Sequence, residues 1–105
     1  MPGQTVSDRA IAERRYTVFD HARDESQEVT YRIFAPEIED DGGYLVRVTV
    51  TQGEDERTYD MAVACDAWSA LDTAFGIARV LIVRMHEMNR GKTIMMDGRV
   101  TAGWI

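Results

Sequence analysis

The chain has 105 residues, 45% of them hydrophobic, and a formal net charge of −6. That length holds one core and excludes two independently folded domains, because neither half could bury enough apolar surface. The acidic balance excludes a dedicated nucleic-acid binder, whose surface must be basic to displace the counterions of phosphate.

The single cysteine, Cys65, rules out an intramolecular disulfide and a cysteine-based metal site. Residues 1–12 lack the apolar centre of a signal peptide, and apolar runs such as residues 80–83 fall far short of the roughly 20 residues that span a bilayer. A cytoplasmic protein with no membrane partner is expected. The charge is regional: residues 24–60 carry eleven acidic and three basic side chains, and the rest of the chain seven and nine.

Residues 1–9 read as a polar arm, and residues 10–105 as a single α+β domain. Four strands are expected over 13–20, 28–35, 44–51 and 58–64. Arg14, Tyr16 and Val18 share one face of the first, and Val29, Tyr31 and Ile33 one face of the second. Tyr44, Val46, Val48 and Val50 share a face of the third, and Tyr59, Met61 and Val63 a face of the fourth. Period-two alternation of this kind marks half-buried antiparallel strands. The links, 20–27, 36–43 and 53–56, are rich in turn formers and acids, which favours a meander.

Asp66 opens an expected helix over 66–90. Its carboxylate can accept from the free amides of the first turn, while Gly91 supplies a left-handed residue beyond the last. Trp68, Leu71, Phe75, Ala78, Ile82 and Met85 recur at three- and four-residue spacing and define the stripe expected to lie on the sheet. Thr93 to Met96 and Arg99 to Ala102 then flank Asp97-Gly98, a strong signal for a two-residue hairpin turn. Trp104 and Ile105 are expected against the body. The expected fold is thus a four-stranded antiparallel meander with one long helix on one face and a short C-terminal β-hairpin.

Ile11-Ala12-Glu13-Arg14, the run from Val29 to Pro36, Asp41-Gly42-Gly43-Tyr44 and Asp66-Ala67-Trp68-Ser69-Ala70-Leu71 occur in that order. In this order the sequence resembles a family of small uncharacterised bacterial domains of unknown function, over about four-fifths of the chain. The third strand, with Leu45-Val46-Arg47, departs from that pattern. The resemblance implies a sheet-plus-helix fold and carries no activity with it.

Candidate chemistry is thin. His86-Glu87 lacks the second histidine of a zinc-protease helix, since position 90 is Arg90, and His86 reads as a boundary residue. His21, beside Asp20, Asp24 and Glu25, reads as part of a solvated turn rather than a metal site. Cys65 precedes the helix N-terminus, where a thiol can be activated, but the strand alternation directs it to the core. Met85, Met88, Met95 and Met96 read as core filler. No catalytic residue, metal site or cofactor is assigned.

Two features remain as a candidate partner surface. One is the acidic turns, with Glu37, Glu39, Asp40 and Asp41 at one end of the sheet and Glu54, Asp55 and Glu56 at the other. The second is apolar surplus: Val80 and Val83 on the polar arc of the helix, and Phe19, Phe34 and Leu45, with Ala62 and Ala64, on the sheet face the helix does not cover. A homodimer formed by a non-enzymatic interaction domain is the leading expectation. An acidic inhibitor or immunity-type protein that meets a basic partner is the alternative, and a small metal-dependent hydrolase a third.

Overall fold

The computed structural model describes residues 10–63 and 66–102. The elements are β1 (Ala10–Asp20), β2 (Glu25–Phe34), β3 (Glu37–Ile38), β4 (Tyr44–Gln52), β5 (Asp55–Val63), α1 (Ala67–Met88), β6 (Thr93–Met96) and β7 (Arg99–Ala102). The polar arm, Cys65, Ala64, Trp104 and Ile105 lie outside the described residues.

All strand pairs are antiparallel. β1, β2, β4 and β5 pair in succession, with Asp20 opposite Glu25 and Gln52 opposite Asp55 across the two tight turns. The expected four-stranded sheet is nevertheless a seven-stranded one. Pro36 ends β2, having no amide to donate, and the chain then re-enters as β3, which pairs with the first residues of β4. The C-terminal hairpin is not a separate appendage. β6 pairs with Tyr16–Phe19 of β1 and so extends the same sheet. Asp97 and Gly98 both take positive φ (50° and 78°), the backbone that a two-residue hairpin turn with matching twist requires.

The helix begins where Asp66 accepts from the Ser69 amide at 2.8 Å. Asn89 closes it: the Asn89 amide and side-chain Nδ2 both donate to the Met85 carbonyl, at 3.2 and 2.8 Å. Gly91 then turns the chain at φ +86°.

The core forms as expected on the sheet side. Tyr16, Val18, Val29, Tyr31, Ile33, Val46 and Val48 are all buried. The helical stripe holds in its second half, where Ala78, Ile82 and Met85 meet the sheet, and is corrected in its first: Ala70 and Ala74 are buried there, while Trp68 is 81% and Phe75 44% exposed. The apolar arc of this helix is wide enough to permit either rotation. Val46 and Val48 already fill the layer, so only alanine methyls fit between them and the helix axis. Two further expectations are corrected: Met88 and Met61 are exposed, Met61 because β5 is an edge strand beyond the helix's reach.

The helix crosses the sheet obliquely. Its first half packs on Ile33, Val46 and Val48, and its second half on Tyr16, Val18, Val29, Tyr31 and Ile94, with Leu81 bridging the two clusters. Larger side chains in the second half leave clefts on both flanks.

Candidate functional site

The sheet face away from the helix is largely polar. Cross-strand register places Glu13 opposite Arg32, Arg32 opposite Thr49, Thr49 opposite Thr58, and Arg47 opposite Asp60. Arg32 Nε donates to Glu13 at 3.0 Å, and Arg47 holds Asp60 through two bonds of 2.8 and 3.0 Å. That bidentate contact lowers the Asp60 pKa. Ladders of opposite charge and threonine suit a face exposed to water.

The apolar residues expected there stand at its corners. Phe19 is opposite Ser26, whereas Phe34 is opposite Ala10, eight residues further along β2. At the rise of an extended strand, the two phenylalanines are about 26 Å apart. Phe34, Leu45 and Ala62 gather at the β3 end, and Phe19 stacks on His21 at the other. The structure therefore does not bring them together.

The acidic residues divide as their turns dictate. Glu39, Asp40 and Asp41 are exposed in a tight turn closed by the Glu39 amide donating to the Gly43 carbonyl and the Gly43 amide to Asp41. Glu37 lies beside them in β3, opposite Leu45. Glu54, Asp55 and Glu56 occupy the opposite end, where Glu56 accepts from Thr51.

Both histidines are tied to the C-terminal hairpin. His21 Nε2 contacts Thr93 Oγ1 at 2.7 Å. His86 donates from Nδ1 to the Ile82 carbonyl at 3.0 Å, an acceptor only, and its Nε2 lies 3.2 Å from Thr101 Oγ1. Its ring stands edge-on to Tyr16. Among the described residues no three metal-ligating side chains converge, and no helix is long and apolar enough to cross a membrane.

Two grooves flank the helix. The first, of about 290 Å³, lies between α1 and the first half of β1. Phe75, Ile82 and Val83 form its helical wall, and Ala12, Tyr31 and Ile33 its floor. It adjoins an open strand edge: β6 covers β1 only from Tyr16 onward, so among the described residues 10–15 have no strand on that side. The sequence places Val83 correctly on the solvent arc; Phe75, expected in the core, proves to be a groove residue, and Ile82 both packs on the core and lines the groove. Val80, 55% exposed, stands on the helix crest.

The second groove, of about 440 Å³, lies on the opposite flank, between the second half of α1 and β4–β5. Arg57 of β5, Arg84 of α1 and Lys92 of the turn before β6 line it, with Tyr31, Tyr59 and Asp55. Arg57 continues the helix-side face of Tyr59, Met61 and Val63, and that period-two pattern would have located it from the sequence.

Comparison with protein-family models, with curated proteins and with solved structures finds no match for this chain.

Proposed function

We propose that this protein is a non-enzymatic interaction domain that self-associates, with the first groove and the open half of β1 as its interface. The observation that carries the reading is their adjacency. Phe75 and Val83, 44% and 52% exposed, overhang a strand edge whose outward amides and carbonyls have no strand partner among the described residues.

An unprotected edge pairs most readily with another strand, and a second copy supplies one of matching length. Twofold pairing is self-complementary. With the axis at Arg14, Glu13 of each chain stands opposite Arg15 of the other, and the two Arg14 side chains splay over the groove rims. The helix flanks then close over Ala12 and Ile33. Val83→Asp places a charge in this interface on a side chain that the isolated fold leaves exposed. It is expected to convert dimer to monomer in sedimentation velocity while the far-ultraviolet circular dichroism of the folded chain is unchanged. An identical sedimentation coefficient for variant and parent overturns the reading.

A second reading rests on the exposed turn of Glu39, Asp40 and Asp41, none of which makes an ion pair among the described residues. Such a surface suits a basic protein, as an inhibitor or immunity-type partner. Association of that kind weakens steeply with added salt, whereas apolar self-association does not.

A further inference from the structure

We propose that the second groove binds a small organic anion with a flat apolar body, an aromatic phosphate or carboxylate. This inference is independent of self-association, since the two grooves lie on opposite flanks of α1.

The chain carries −6 overall, yet this groove gathers Arg57, Arg84 and Lys92 against one carboxylate, Asp55. Among the described residues the arginines engaged in an ion pair, Arg15, Arg23, Arg32 and Arg47, lie elsewhere. Arg57 and Arg84 make no ion pair among the described residues, so their charge is left to solvent or to a ligand. Arginine is the side chain best shaped to grip a phosphate or carboxylate through two parallel N–H donors.

The placement of Arg57 is unusual for a solvated cation. Register sets it directly opposite Val50, which in turn is opposite Tyr31. It therefore projects on the helix-side face of the sheet, at the rim of the core, rather than on the polar face where Arg32 and Arg47 stand.

Lys92 is also held in place. Its Nζ donates to Asn89 Oδ1 at 3.2 Å, and Asn89 is fixed by its own bond to the Met85 carbonyl. The same contacts occupy the Met85 carbonyl at the helix C-terminus, and the Asn89 amide also reaches that of His86 at 3.3 Å. The helix end, which would otherwise repel an anion, is thereby partly masked.

The floor explains the apolar body. Val29, Val50, Leu81 and the ring of Tyr59 line the groove below the cations. An anion with no apolar part would leave them wet, while an uncharged aromatic would leave the cations unanswered. Sites with an apolar lining and a few convergent polar groups are the ordinary form of small-molecule pockets.

The test is a ¹H–¹⁵N titration of the full chain with phenyl phosphate, inorganic phosphate and benzyl alcohol as parallel probes. Phenyl phosphate is expected to shift the amides of Gln52, Arg57, Leu81 and Lys92 saturably, with half-saturation below about 1 mM. Arg57→Glu and Arg84→Glu, both at exposed positions, are each expected to weaken it at least tenfold, and Arg57→Lys less. Equal binding of inorganic phosphate overturns the apolar part of the proposal, and equal binding of benzyl alcohol overturns the anionic part. Shifts that do not saturate, that centre elsewhere, or that survive both charge reversals overturn the site itself.

Discussion

Tyr16 and Tyr31 meet edge to face beneath the helix, their ring centroids 5.9 Å apart and their planes at 86°. Both are buried, and the floors of the two grooves meet at Tyr31, which lines each. Burial, reinforced by the neighbouring Tyr16 and Tyr59, raises the Tyr31 pKa from 10.0 to about 12. The folded chain therefore holds this proton more tightly than the unfolded chain. The stability this contributes is complete below the unfolded pKa and is lost as the pH climbs from 10 toward 12. Ultraviolet titration should show a late-ionising step, coincident with unfolding, that Tyr31→Phe removes. Superimposable titration curves for parent and Tyr31→Phe, apart from the lost amplitude, would contradict it.

Thr49 is buried in the middle of the polar sheet face, and its hydroxyl has no hydrogen-bond partner among the described residues. An unsatisfied buried hydroxyl costs free energy that an isosteric methyl does not. Thr49→Val is expected to stabilise the fold by about 1 kcal/mol, measured as an increase in the urea midpoint at unchanged slope. A loss of stability would show that the hydroxyl has a partner.

Arg47 and Asp60 form the best-aligned ion pair on that face, and both side chains are about one-third exposed (33% and 38%). Solvent screening keeps such pairs weak, and a double-mutant cycle with Arg47→Met and Asp60→Asn should give a coupling of about 0.5 kcal/mol. The hydrogen bonds from Arg47 hold the Asp60 carboxylate below its ordinary pKa. The coupling should therefore be present above the unfolded pKa of Asp60 and vanish as the pH falls through its lower folded value. A coupling that persists in strong acid would contradict this.

His86 links the helix to the hairpin through its Nε2 contact with Thr101 Oγ1 at 3.2 Å, and the Thr101 proton goes to the Ile94 carbonyl at 3.1 Å. His86→Ala should loosen β6–β7 first. Amide exchange in Arg99–Thr101 is expected to accelerate while that of Val46 and Val48 is unchanged. Uniform acceleration would mean that the hairpin and core open together.

Much of this fold is legible in the sequence. The alternation of β1, β2 and β4, the Asp66 cap and the Asp97-Gly98 turn are local signals, and each acts locally in the structure. The helix rotation over its first half is not legible, because Trp68, Leu71 and Phe75 lead into Ala78 with as good a periodicity as Ala70 and Ala74. Only the bulk of Val46 and Val48 beneath the helix decides between them. The seven-stranded sheet is hidden for a similar reason: whether β6 adds to the edge of β1 depends on packing of Ile94 beside Val18, across a long sequence separation. The candidate site follows the same division. Val83 is readable as an apolar residue on a polar arc. The groove it shares with Ala12 and Ile33 exists only once the helix has turned and β6 has stopped short at Tyr16.

The molar mass of the unaltered chain in solution, by multi-angle light scattering between about 1 and 100 µM, decides whether two chains associate, since a specific dimer at the affinities usual for such interfaces forms within this range. Self-association through β1 and α1 predicts twice the 11.9 kDa of a single chain, unchanged when salt is raised to 0.5 M and halved by Val83→Asp. A mass of one chain across the whole range contradicts it.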